Sequence, residues 1–214
     1  MKTPVRNVAY GDERGKMTLV SKTFELYGKT YTLESGELAK QATGSVLVKQ
    51  GDTTANVTVV VSKERKNYDF FPLTVDFIEK MYAVGRIPGG YLKREGRPSD
   101  KATLTARMID RPIRPSFPDG FRNEVHVVAP SLVADQVNPI DVICTMGASL
   151  AMTLGGVPFE GPLACVRIGR DRETGEFIVN PTYEERDNSD LDLELAGTRD
   201  FISKIGRASC RERV

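Results

Sequence analysis

The chain has 214 residues, 30 Lys or Arg against 29 Asp or Glu, a formal net charge of +1 and 40% hydrophobic residues. That length suits one large or two small domains with a real core, and the charge of both signs points to a soluble protein. No apolar run is long enough to span a bilayer, and MKTPVRNVAYGDERGK lacks the apolar centre of a cleavable signal, so a cytoplasmic protein with no membrane association is expected.

Three cysteines, Cys144, Cys165 and Cys210, fall in no metal or redox spacing. The first two sit in apolar runs and read as buried thiols kept reduced. Residues 1–20 show no periodicity and are expected to form a flexible leader.

From Phe24 the pattern changes. FELYGKTYTLESG reads as two strands joined at Tyr27-Gly28-Lys29, and Gly44–Lys49, the Gly51-Asp52 turn and Thr53–Ser62 read as a longer hairpin with Val57, Val59 and Val61 on one face. Phe70–Phe77 adds a strand. Ser99 or Asp100 can cap a helix starting near Lys101, with Leu104, Met108 and Ala102 on its apolar side and Pro112 as its stop.

Glu124–Val133 is the next strand. Asn138 then offers a cap, Pro139 a first helical position, and PIDVICTMGASLAMTL a helix apolar nearly all round that runs to Gly155. Gly155-Gly156 closes that helix, which is the wrong end for a phosphate loop. Leu163–Arg170 and Glu176–Val179 form a further hairpin around Glu173-Thr174-Gly175, and Leu191–Ala196 a strand alternating Leu with acid. Strands first, then helices interleaved with strands, predict an α/β sandwich of the α+β type, with a mixed sheet and helices packed on it.

Charge is concentrated in GRIPGGYLKREGRPSDKATLTARMIDRPIRP, residues 85–115. The stretch holds eight cations, Arg86, Lys93, Arg94, Arg97, Lys101, Arg107, Arg111 and Arg114, against three acids, Glu95, Asp100 and Asp110. Pro88, Pro98, Pro112 and Pro115 restrict where those charges point. A braced cationic loop suits a polyanion, because guanidinium groups grip phosphate oxygens in pairs. Tyr91 adds a surface on which a base can stack. His126, in a valine-rich strand, reads as a core-edge or surface residue, and no Ser-His-Asp or Cys-His set is visible.

The last ten residues, IGRASCRERV, are basic and unpatterned. Their codons can be written as a common short-read sequencing adapter in one frame, with the Lys204 codon supplying its leading bases. Residues 204–214 are therefore expected to be an adapter translation following a truncated gene fragment. The underlying nucleotides decide it.

With these residues laid out, the chain resembles the N-terminal part of the bacterial polynucleotide phosphorylases. The resemblance is carried by FFPLTVDF at 70–77, GRIPGGYLKREGRPSD at 85–100, ARMIDRPIRPSFPDGF at 106–121, QVNPIDV at 136–142 and LDLELAGT at 191–198. It implies a ribonuclease-PH-like two-layer sandwich, mixed sheet with helices on one face, occupying 21–203 as an incomplete first domain. It further implies a parent homotrimer, active in mRNA turnover, that degrades single-stranded RNA from its 3′ end with inorganic phosphate and uses Mg²⁺ in a second domain. RNA-degradation partner proteins are implied as well.

In that family an aromatic pair followed by two arginines grips RNA at a pore, and the matching residues are Tyr91, Leu92, Lys93 and Arg94. RNA binding is thus expected at Arg86, Tyr91, Lys93, Arg94 and Arg97, with secondary phosphate contacts at Arg107, Arg111 and Arg114. The family's catalytic Asp-Phe-Lys motif aligns with Asp192-Leu193-Glu194, and its metal-binding aspartate with Arg186. A glutamate for the lysine and an arginine for the aspartate predict no catalytic and no metal residues here, the acidic strand being solvated. Asp190 and Asp192 are the remaining candidate ligand pair, since alternate strand positions share a face. Two other readings are a non-enzymatic RNA-binding scaffold and a single-domain ribonuclease-PH-type tRNA-trimming enzyme, the latter opposed by Glu194.

Overall fold

The computed structural model describes residues 19–65 and 67–207. Residues 1–18 of the expected 1–20 leader and the terminal stretch 208–214, with Cys210, lie outside them, while Val20 at the leader's expected end already belongs to a strand. Two strands, β1 (Val20–Leu26) and β2 (Lys29–Ser35), turn at Tyr27 and Gly28, whose φ values of 50° and 71° are those of a two-residue turn matched to strand twist. A second hairpin, β3 (Gly44–Gln50) and β4 (Thr53–Arg65), turns at Gly51.

Strand β5 (Leu73–Ile78) begins three residues later than the sequence suggests, and β6 (Asn123–Val133) pairs parallel to it and antiparallel to β4. The result is a six-stranded mixed sheet in the order β1-β2-β3-β4-β6-β5. Alternation decides which face is buried: Val46, Val48, Val57, Val59, Val125 and Val127 are fully buried, and each such side chain contributes about 1.5–3 kcal/mol.

Helices α1 (Asp100–Ile113) and α2 (Ile140–Leu154) cover that inner face. At α2 the approach is too close for side chains. A Cβ on Gly147 would lie 2.7 Å from Val57 Cγ2 and 2.8 Å from Val48 Cγ2, and one on Gly44 of β3 would lie 2.0 Å from the Ala151 carbonyl oxygen.

A second sheet, not separated from the first in the sequence pattern, follows α2. Its strands β7 (Ala164–Asp171), β8 (Phe177–Val179), β9 (Ser189–Gly197) and β10 (Ile202–Arg207) are antiparallel in the order β10-β9-β7-β8, with the short helix α3 (Tyr183–Asp187) between β8 and β9. Residues 204–207 continue β10 beyond Ser203. Strand β7 packs on α2, and Met146 touches both hydrophobic clusters, so α2 is covered by sheet on either side.

Three local expectations need correction. Ser99 does cap α1, accepting from Ala102 N at 3.0 Å, but the buried stripe is Ala102, Thr105, Ile109, Pro112 and Ile113, while Leu104 is 58% exposed. Pro112 lies inside the last turn instead of ending the helix, which continues to Ile113. Asn138 does not cap α2. Its amide donates to Asp135 at 2.6 Å and its oxygen accepts from Gln50 at 3.2 Å, leaving Pro139 at the cap position. Cys144 and Cys165 are buried free thiols, as expected, and burial pushes both upward in pKa.

Candidate nucleic-acid interface

The cationic stretch leaves the six-stranded sheet at the end of β5. A short 3-10 turn, Met81–Val84, closes on Gly85 in the left-handed conformation, and the chain returns at Ser99, the cap of α1. Between these ends the loop is held by its acids. Glu95 accepts from Met81 N at 3.0 Å and pairs with Lys80 at 3.5 Å, and Ser99 Oγ donates to Glu79 at 2.6 Å. Lys93, at φ 46°, donates its N–H to the Gly90 carbonyl at 2.9 Å and so tightens the tip.

The consequence is electrostatic. The acids are consumed in fixing the loop, whereas the side chains of Arg86, Lys93, Arg94 and Arg97 have no hydrogen-bond or ion-pair partner among the described residues and are exposed. Tyr91 is 100% exposed and Leu92 76%, so an aromatic ring and an aliphatic side chain stand in solvent at the tip. Behind the loop lies a groove of about 1000 Å³ that Arg94, Arg97, Lys101 and Tyr183 help to line. Lys101 lies 4.7 Å from the centroid of the Tyr183 ring and donates to its hydroxyl at 3.1 Å.

The secondary arginines divide. Arg107 and Arg111 are exposed on α1, but Arg114 is engaged within the fold. It grips Asp110 with two nitrogens, the closer at 2.6 Å, and donates to the carbonyls of Phe71 at 3.2 Å and Leu73 at 3.1 Å. That fork ties α1 to the start of β5. His126 Nε2 lies 2.8 Å from Asp76 Oδ2 across β6 and β5, both partly exposed, which matches the surface reading.

The acidic strand departs from its expectation of solvation. Asp192 and Glu194 of β9 face inward, and Glu194 is 3% exposed. Arg186 donates to Asp192 Oδ2 at 3.0 Å, and Arg167 of β7, itself 2% exposed, lies 3.0 Å from Asp141 of α2 and 3.3 Å from Asp192. Arg167 donates to Asp192 Oδ2 at 3.4 Å, its contact with Oδ1 is an ion pair without hydrogen-bond geometry, and Arg167 Nε has no hydrogen-bond partner among the described residues. Lys204 pairs with Glu194 at 3.1 Å, and Cys165 Sγ donates to it at 3.6 Å. Burial raises the Glu194 pKa against the pull of Lys204 and Arg167.

Asp190 points elsewhere, to Arg170 at 2.9 and 2.5 Å, and those hydrogen bonds hold it below the usual carboxylate range. The two aspartates therefore do not converge, and among the described residues no group of three or more His, Cys, Asp or Glu is placed to hold a metal. A divalent ion does not fit here: each oxygen of Asp192 faces a guanidinium, and Glu194 faces an ammonium.

The sequence pattern alone does not single out Arg167 and Asp141. The available signal is parity, since Cys165, Arg167 and Gly169 share the inward face of β7. An arginine at an inward position of a strand, between Cys165 and Gly169 on the same face, calls for a buried acid.

Residues 28–158 match the family model described as "3' exoribonuclease family, domain 1" and residues 161–212 that of its domain 2. Proteins named polyribonucleotide nucleotidyltransferase from Bacillus cereus and Bacillus thuringiensis are each 52% identical over 183 residues, which is 86% of this chain and 25% of theirs. The chain thus spans a quarter of the length of these relatives. Among solved structures, rice Rrp46 superposes with a TM-score of 0.63 at 14% identity, over 88% of this chain and 79% of that one. The Archaeoglobus fulgidus exosome with RNA bound to the active site gives 0.59 at 16% identity, over 90% and 77%. At those identities the structural likeness concerns the fold. By the family match over most of its length, this chain belongs to the 3′ exoribonuclease family.

Proposed function

We propose that this chain is the RNA-guiding part of a phosphorolytic nucleotidyltransferase that shortens single-stranded RNA from its 3′ end, taking inorganic phosphate and releasing nucleoside diphosphates. The observation that carries the reading is the loop itself: Arg86, Lys93, Arg94 and Arg97 stand unpaired among the described residues around Tyr91, while Glu79 and Glu95 are spent on holding the loop in place. Arg94 and Arg97 offer forked donors to successive phosphates, Lys93 a point charge, and Tyr91 a ring for one base. The residue chemistry selects a flexible single strand, whose bases are free to stack.

Bond breaking belongs elsewhere in the parent. Phosphorolysis needs the attacking phosphate and the scissile diester held by cations, with a metal to spread the charge of the transition state. At Asp192 and Glu194 the cations are already neutralised by the protein's own acids, so the incoming anion finds no open positive field. Mg²⁺ is accordingly assigned to a further domain of the parent enzyme, a cytoplasmic homotrimer acting in mRNA turnover.

The test is the salt dependence of binding to a single-stranded oligoribonucleotide. Removing one cation that neutralises a phosphate should lower the slope of log affinity against log salt by about 0.7 for a single strand. Arg94→Ala and Lys93→Ala are expected to flatten the slope, while Arg114→Ala leaves it in place. An unchanged slope in both loop variants would refute the phosphate contacts.

A further inference from the structure

We infer that Arg186 stands in for a divalent cation at Asp192, and that this one side chain determines that the polar centre between α2, α3, β7 and β9 takes up no metal. The inference rests on the reading of this region as non-catalytic. It adds a specific residue and a reversible chemistry to it.

The centre is balanced internally. Asp141 and Asp192 supply two negative charges, Arg167 and Arg186 two positive ones, and the separations of the three ion pairs lie between 3.0 and 3.3 Å. Adding a divalent ion to this set would leave an uncompensated excess of positive charge in a low-dielectric space, so an ion enters only if a guanidinium leaves. Among the four groups only Arg186 can leave cheaply. Arg167 has a side chain 3% exposed and is held from two sides by Asp141 and Asp192, whereas the Arg186 side chain is 26% exposed and touches Asp192 alone within the centre.

The local fold also fixes the backbone that carries Arg186. The residue sits in α3, whose start is fixed by a capping box: Thr182 Oγ1 accepts from Glu185 N at 3.3 Å and Glu185 Oε2 accepts from Thr182 N at 2.7 Å. Tyr183 N donates to the Val137 carbonyl at 3.0 Å and docks the same helix on the segment leading to α2. The backbone at position 186 is therefore held beside β9 independently of the side chain it carries. Replacing Arg186 by a carboxylate would leave three acids around Arg167, a net negative set of hard oxygen donors that suits Mg²⁺ or Mn²⁺.

The experiment is Mn²⁺ titration of the 214-residue chain followed by the electron paramagnetic resonance of the free ion. The unsubstituted chain is expected to leave the Mn²⁺ signal undiminished, and Arg186→Asp to take up one ion per chain, an uptake abolished when Asp192→Asn is added. Mn²⁺ uptake by the unsubstituted chain that disappears with Asp192→Asn would overturn the inference, as would a folded Arg186→Asp chain that takes up none. If Arg186→Asp does not fold, Arg186→Gln carries the test. Its thermal midpoint should then rise with Mn²⁺ while that of the unsubstituted chain does not, and equal responses would overturn the proposal. None of these readouts involves RNA, so loss of the RNA-guiding reading through an unchanged salt slope would be seen separately.

Discussion

Arg167 on β7 reaches Asp141 in the first turn of α2 at 3.0 Å, and the two side chains are only 3% and 11% exposed. This pair fastens the second sheet to the central helix from inside. Removing one partner of a buried pair leaves the other charge uncompensated, at a cost of about 3–5 kcal/mol. Arg167→Ala should therefore lower the urea midpoint far more than Arg170→Ala on the exposed side of the same strand. Equal effects in equilibrium unfolding would show that the buried pair is not the stronger tie.

The cap of α1 has two bonds to lose. Ser99 Oγ accepts from Ala102 N and donates to Glu79, so it closes both the helix start and the end of the cationic loop. Ser99→Ala should cost about 1 kcal/mol of stability. Because the loop is released at the same time, amide exchange at Ala102 is expected to accelerate, whereas Ser62→Ala leaves that amide unchanged.

Close packing makes a different prediction at α2. Gly147→Ala puts a methyl group 2.7 Å from Val57 Cγ2, an overpacking that costs about 1–3 kcal/mol. Gly44→Ala should cost more, since its methyl meets the Ala151 backbone oxygen, which cannot rotate away. Thermal midpoints falling in the order parent, Gly147→Ala, Gly44→Ala check this.

Titration acts in opposite directions at different acids. Burial alone would raise the Asp135 pKa, but hydrogen bonds from Asn138, Val137 and Thr53 outweigh it and bring it below its ordinary value. Its contribution to stability is present above the unfolded-state pKa of about 3.9 and is lost as pH falls through the lower folded value. Glu194 is raised, so the folded chain binds its proton more tightly than the unfolded chain. Its ionisation removes stability as pH rises from about 4.3 through the folded pKa. Glu194→Gln should abolish that decline in urea titrations across the acid range, and Asp135→Asn should weaken the acid sensitivity below it.

At the loop tip an added ring should strengthen the grip. Leu92 is exposed beside the fully exposed Tyr91, so Leu92→Phe offers a second stacking surface without a folding cost. Each base stacked on an aromatic side chain is worth about 1–3 kcal/mol. Tighter binding of single-stranded RNA with an unaltered salt slope is expected. A changed slope with unchanged affinity would assign Leu92 another part.

Much of the six-stranded sheet was legible because one face is apolar and the other wet, and alternation through Val46, Val48, Val57 and Val59 records that directly. The turn at Tyr27-Gly28 and the cap at Ser99 were legible because backbone conformation there depends on local chemistry. The division into two sheets was not, because strand pairing is a long-range choice that period-two patterning does not encode. Nor was the tilt of α1, where Thr105 and not Leu104 faces the core. At the site, the loop's cations were evident in sequence, but the Phe71 and Leu73 carbonyls that engage Arg114 alongside Asp110, and the Arg167 that faces Asp192, come from other elements of the fold.

The two family models meet between residues 158 and 161, yet that seam is not a joint in the molecule. Since α2 carries β3 and β4 on one flank and β7 on the other, prying the halves apart would expose the flank where Met146 packs on the cluster of Leu163, Cys165 and Ala196. Cutting the backbone at Glu160 should accordingly leave two fragments that remain associated and melt together, a single cooperative body assembled from two evolutionary modules.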